Sequence, residues 1–198
     1  LRAAIGRLSR GGITLPVAAP GRDVVARADR PGAPLWKVVD FRDHVTEQAR
    51  AGIEAALEAS GLLDAWVLPA GDIALAGAHD AFLIPAAPVP GASLIDVLVP
   101  AVDRDDTQAQ ALSTSRLEDV LRAVGFGPGS TAWVDPDGRY AFGPVEGAFQ
   151  KVRAQHIGHG AREENRKLRL QEATHALEGV ELSIEENRSA QQALRERM

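Results

Sequence analysis

The chain has 198 residues, no cysteine, and a formal charge of −5 from 22 Lys and Arg against 27 Asp and Glu. That length holds one domain of ordinary size plus appendages. The missing thiols exclude a zinc–thiolate site, a disulfide framework and a cysteine nucleophile, which fits a reducing cytoplasm. No apolar run approaches the roughly 18 residues that span a bilayer, and the opening residues lack a signal-peptide pattern. The charge is unevenly distributed. Residues 1–30 carry six Arg against two Asp, residues 31–160 nine basic against seventeen acidic groups, and residues 161–198 seven against eight. An acidic middle repels phosphates, so any contact with DNA falls to local basic residues. The candidates are Arg162, Arg166, Lys167 and Arg169, which are equally ordinary as solvated helix positions.

In chain order, Leu1, Ile5 and Leu8 have the spacing of a short amphipathic helix. Residues 9–33 are rich in Gly, Pro and Arg and read as loop, with one edge strand over the apolar patch Ile13 to Ala18. Leu35 to Phe41 is a β-rich run. Thr46 then caps a helix with the stripe Ala49, Ile53, Ala56 and Leu57, closed by Ser60-Gly61. Leu62 to Leu68 reads as the next strand and 69–72 as a turn. Strand, helix and strand with short links predict a βαβ unit with a parallel pair.

Asp80 to Ala86 and Leu94 to Val99 are apolar runs, either two strands or one strand and a buried loop, parted by Pro85, Pro88, Pro90 and Gly91. Val102 to Ser113 reads as polar surface loop. Ser115 caps a helix over Leu117, Val120, Leu121 and Val124 that ends in the glycine turn 125–129. The clearest hairpin is Thr131–Val134, turn Asp135-Pro-Asp-Gly138, then Arg139–Gly143. Residues 144–157 connect it to a last helix. There Leu170, Ala173, Leu177, Val180, Ile184, Leu194 and Met198 recur in steps of three and four, with Asn187 and Gln191 completing the seam. That period keeps the stripe on one face only if the helix supercoils about a partner. Leu170 to Met198 makes a rod of roughly 43 Å. The chain starts at Leu1 and stops within the heptads, as expected of a piece of a longer protein.

The chain offers little chemistry. Gly125-Phe-Gly-Pro-Gly129 follows a helix rather than a strand, and Pro128 lacks the N–H that a phosphate cradle uses. Asp135 to Gly138 is turn chemistry, because Arg139 and Tyr140 stand where a calcium loop needs oxygens. His156 and His159 have no third ligand near them in sequence, and Asp103, Asp105 and Asp106 read as a solvated acidic turn. No Walker spacing and no Gly-x-Ser-x-Gly elbow is present. The sequence therefore predicts no catalytic residue, no metal and no cofactor. Trp36, Trp66 and Trp133 fall in predicted strands and read as core.

Several motifs carry a family likeness. They are Leu35-Trp-Lys-Val-Val-Asp-Phe-Arg-Asp43, Leu63-Asp-Ala-Trp-Val-Leu-Pro69, Asp137-Gly-Arg-Tyr-Ala-Phe-Gly143, and His156-Ile-Gly-His-Gly-Ala-Arg-Glu-Glu-Asn-Arg166 opening the last helix. Over about residues 34–70 and 130–170 the chain resembles the hinge of MukB-like SMC proteins, most closely that of the SMC-like subunit of Wadjet plasmid-defence complexes. The resemblance implies a homodimerising hinge between two halves of a long coiled coil. It also implies partner subunits of a condensin-like complex, DNA engaged indirectly through that complex, and a cytoplasmic, nucleoid-associated setting. The ATPase would lie elsewhere in the full protein.

The expected fold is an α+β globular hinge with flanking antiparallel coiled-coil helices, divided as an incoming helix (1–10), a mixed domain (11–157) and an outgoing helix (158–198). Gly125, Gly127, Gly129, Trp133 and Phe142 are the candidate dimer interface, since glycine loops and edge strands permit close approach. Two other classes stay open: a partner-binding regulatory domain on an unrelated coiled-coil protein, and a small enzyme with a coil tail.

Overall fold

A computed structural model describes residues 1–18, 21–23, 25–69 and 79–196. It divides into two compact units, Leu15–Ala161 and, from both ends of the chain, Leu1–Thr14 with Arg162–Met198. The larger unit is mixed helix and sheet, the α+β class that the sequence predicts.

In that unit the run Leu35–Phe41 is not one strand. β1 (Ala33–Pro34) is followed by a single helical turn, α2 (Leu35–Val38), and then by β2 (Val39–Phe41). The turn buries Leu35, Trp36 and Val38 together, so Trp36 is core but helical. It also sends the flanking strands to different partners. β1 pairs antiparallel with β3 (Trp66–Val67), which pairs parallel with β4 (Phe82–Leu83), while β2 pairs antiparallel with β5 (Leu98–Pro100). The predicted parallel βαβ pair is thereby overturned. Only Trp66 and Val67 of the run Leu62–Leu68 form a strand, and most of the turn expected at 69–72 lies outside the described residues.

The helix capped by Thr46 is α3 (Glu47–Ala59). Thr46 Oγ1 accepts from Ala49 N at 3.3 Å, and Gly61 closes the far end with φ +77°. Ile53, Ala56 and Leu57 are buried, and Ala49 half-buried. α3 packs across β7 (Ala132–Val134), β8 (Arg139–Phe142) and β9 (Val145–Ala148). A Cβ on Gly52 would collide with the carbonyl oxygen of Pro136, so only glycine lets the helix lie this close to the hairpin turn.

Several predicted boundaries shift. No strand forms at Ile13 to Ala18. Leu94–Asp96 is a 3-10 turn rather than strand. Ala109–Ala111 is another, with Ala109 and Leu112 buried inside the predicted surface loop. The cap of α4 (Thr114–Arg122) is Ser113, whose hydroxyl accepts from Arg116 N at 3.2 Å, and not Ser115. Ser113→Ala should cost about 1 kcal/mol in urea unfolding, with Ser115→Ala near neutral. Gly125 and Phe126 are β6, paired parallel with β7, so the glycine turn shrinks to 127–131. The presumed connection after the hairpin contains β9, which completes the order β6-β7-β8-β9.

In the smaller unit α1 (Arg2–Ser9) lies along α5 (His159–Arg195). Leu8 O accepts from Arg166 Nη1 at 2.6 Å and Arg2 Nη2 meets Glu181 Oε1 at 2.7 Å, so the two helices run antiparallel. Leu170, Ala173 and Leu177 are half-buried, whereas Val180, Ile184 and Leu194 are exposed; Met198 lies outside the described residues.

Candidate functional site

The register of β6–β9 sets which side chains share a face. Phe126 opposes Val134, Val134 opposes Tyr140, Ala132 opposes Phe142, and Phe142 opposes Val145. Val134 is fully buried, while Phe126, Ala132, Tyr140 and Phe142 are half-buried and Val145 is exposed. The Tyr140 and Phe142 rings stand 6.4 Å apart. Trp133 aligns with Gly125 and Ala141 on the opposite face. The sheet therefore separates the residues that the sequence grouped as one interface. Phe142 lies on the aromatic face, and Trp133 and Gly125 on the other. Gly125 is also enclosed, because a Cβ there would strike Ser130 Oγ and Trp133 Cβ. Only Gly127 and Gly129, with φ of +89° and +134°, have open space around them.

Two buried polar clusters in the same unit went unforeseen, since their members are far apart in sequence. In the first, Arg27 donates to Asp80 at 2.6 and 2.8 Å and to Asp64 at 2.9 Å, and Arg30 donates to Asp80 at 2.7 Å. Arg22 Nε lies 3.9 Å from both carboxylates. Trp66 packs under the guanidinium groups of Arg27 and Arg30 at 5.2 and 5.9 Å. Burial pushes the Asp80 carboxyl up, but the donors from Arg27, Ala81 N and Arg30 outweigh it and hold it below the usual carboxylate range. Asp80 and Asp64 in turn raise Arg27 against its own burial.

The second cluster centres on Glu54, which is wholly buried on α3. Its Oε1 accepts from Lys151 Nζ (2.6 Å) and Gln155 N (2.7 Å), and its Oε2 from His156 N (2.9 Å) and Ile157 N (2.8 Å). Glu58 accepts from the same ammonium at 2.7 Å. Glu54, Glu58 and His156 each present a ligand atom within 4.8 Å of the others, so His156 does have acidic neighbours, one turn apart on α3. The Lys151 ammonium already stands between the two carboxylates, and Glu54 is fully used as an acceptor. The triad is structural.

The acidic turn behaves likewise. Asp106 pairs with Lys37, and its carboxyl is held low by that ammonium and the Ala109 and Gln108 N–H groups against the upward push of burial. Asp103 accepts from Asp105 N at 2.9 Å. Asp135 accepts from Asp137 N and Arg139 N at 3.0 and 2.9 Å, as a turn aspartate should.

Of the basic candidates, Arg166 is taken up by Glu163 and Leu8 O and is 16% exposed. Glu163 also holds its guanidinium above its ordinary pKa. Arg169 pairs with Glu172 at 3.0 Å, and Lys167 is the most open, 3.9 Å from Glu163. Arg162 is half-buried. Around them, residues 1–14 and 162–172 hold seven basic groups against Glu163, Glu164 and Glu172.

No helix of the described residues is long and apolar enough to cross a membrane. No protein-family model and no curated protein matches the chain. Among solved structures the chain aligns with the Smc hinge domain with an extended coiled coil from Pyrococcus furiosus, at 15% identity and a TM-score of 0.39, over 98% of this chain and 75% of that one.

Proposed function

We propose that the chain is a homodimerising hinge of an SMC-like protein, a joint between coiled-coil arms rather than a catalyst. The observation that carries this is topological. The mixed unit Leu15–Ala161 is inserted between two helical segments that belong to one compact unit and run antiparallel. Both ends of the mixed unit therefore connect in sequence to the same helical unit. The motifs at 35–43, 63–69, 137–143 and 156–166 support the Wadjet-type SMC subunit as the full protein, with partner subunits and DNA engaged through the assembled, nucleoid-associated complex. The larger unit, with twelve basic against nineteen acidic groups, is a poor phosphate surface. Direct DNA contact falls to Lys167 and Arg169.

Sedimentation equilibrium of the chain, whole and truncated after residue 170, tests the hinge. Both should be dimers of about twice the 21.0 kDa chain mass or its truncated equivalent. A monomer in both cases overturns it. A dimer that disappears on truncation assigns association to the exposed heptads Val180, Ile184 and Leu194, as in a parallel coiled coil.

A further inference from the structure

Residues 84–90 (Ile-Pro-Ala-Ala-Pro-Val-Pro) are the most restricted segment of backbone in the larger unit. Proline fixes φ at 85, 88 and 90, and the residue before each proline is driven to extended or polyproline geometry. Only Ala86 is unconstrained. Residues 84–89 run without a bend or a helical turn. At three residues per turn, Ile84, Ala87 and Pro90 form one ridge. All three are exposed, as is Pro88. Such a segment loses little entropy on docking and fits aromatic-lined surfaces.

The aromatic surface is its neighbour. Val89 N donates to Arg122 O and Phe126 N to Ala92 O, both at 2.9 Å, so the end of the proline segment lies along β6. Phe126, Tyr140 and Phe142 share the half-exposed face described above. The end of the ridge at Pro90 thus lies beside the strand that carries Phe126. Charge identifies what covers this surface. No Asp, Glu, Lys, Arg or His occurs in residues 81–95, 123–134 or 140–145. The rest of the unit is strongly acidic, so two copies repel except across such a surface. Arg122, at the border beside Val89, is held by Glu118 at 2.7 Å and Asp119 at 3.4 Å, and these uncharged stretches carry neither a cation for phosphates nor a carboxylate for a basic partner.

We propose that the proline ridge of one copy docks on the Phe126–Tyr140–Phe142 face of a second copy, and the second on the first. A two-fold interface requires self-complementarity, and each copy contains both halves. The inference rests on the homodimer proposed above and specifies its contact.

The absence of cysteine makes the test direct. Ala87→Cys and Thr131→Cys chains are mixed, treated with a short bismaleimide, and the joined peptides read by mass spectrometry. Thr131 neighbours Phe142 through the Gly143 N–H to Thr131 O bond of 2.7 Å. An 87–131 link between chains is expected, and Pro88→Asp or Ala87→Asp should weaken the dimer by about tenfold or more, with circular dichroism unchanged. A stable dimer without that link and indifferent to both aspartates overturns this contact and leaves the hinge standing. A wild-type chain that stays monomeric removes both.

Discussion

Asp80→Asn should lower the stability of the larger unit by about 3–5 kcal/mol in urea unfolding, the usual consequence of removing one partner from a buried ion pair. The Asp80 side chain has no solvent exposure and answers Arg27 and Arg30 together, with Arg22 at 3.9 Å. Without its charge, three guanidinium groups face only Asp64. Arg27→Met should cost less than Asp80→Asn, because Arg30 and Arg22 still balance the carboxylates, and the double variant should cost less than the sum. The pH dependence has a definite sign. A carboxyl held below its unfolded pKa adds stability that is complete above about pH 4 and is lost as pH falls through the lowered folded value. Asp80→Asn should therefore flatten the acid limb of a stability–pH curve while leaving the neutral limb unchanged in shape. An acid limb as steep as that of the unmodified chain would remove Asp80 from this role.

Glu54→Gln is expected to have the second largest effect, about 3 kcal/mol or more. The glutamine amide turns an NH2 toward backbone N–H groups that need an acceptor, and it leaves the Lys151 ammonium, 8% exposed, with Glu58 alone. The damage should be local first. Amide exchange at Gln155, His156 and Ile157 should accelerate well before that of α3 or β7–β8. Lys151→Met should also destabilise, since it strands a buried carboxylate, and it opens the space between Glu54 and Glu58. If exchange at 155–157 in Glu54→Gln tracked global unfolding alone, Glu54 would be an ordinary core residue rather than the anchor of that segment.

The residues show which levels of structure a sequence discloses. Thr46 and Gly61 announce both ends of α3 through local chemistry, and Asp135-Pro-Asp-Gly138 announces its hairpin. These signals are complete within a few residues. Leu35–Phe41 misleads because burial of Leu35, Trp36 and Val38 against the rest of the core selects a helical turn over the β propensity of the same residues. Gly125-Phe126 misleads because glycine reads as turn, yet pairing between Ser93 and Trp133 needs a strand residue without a side chain. The five residues that the sequence groups as an interface do not share one surface, since alternation along β7 and β8 places Trp133 and Phe142 on opposite faces.

From the sequence alone come the absence of thiol chemistry, the acidic middle, the heptad helix, the capped α3, the hairpin and the uncharged proline segment. Each depends on composition or on neighbours within one or two turns. Only the tertiary structure decided the antiparallel pairing of β1 with β3, the meeting of Arg27 with Asp64 and Asp80, the seating of Glu54 against 155–157, and the juxtaposition of residues 89–92 with β6. Those contacts join positions about 30 to 100 residues apart, and burial strengthens them far beyond anything the same groups would feel in water.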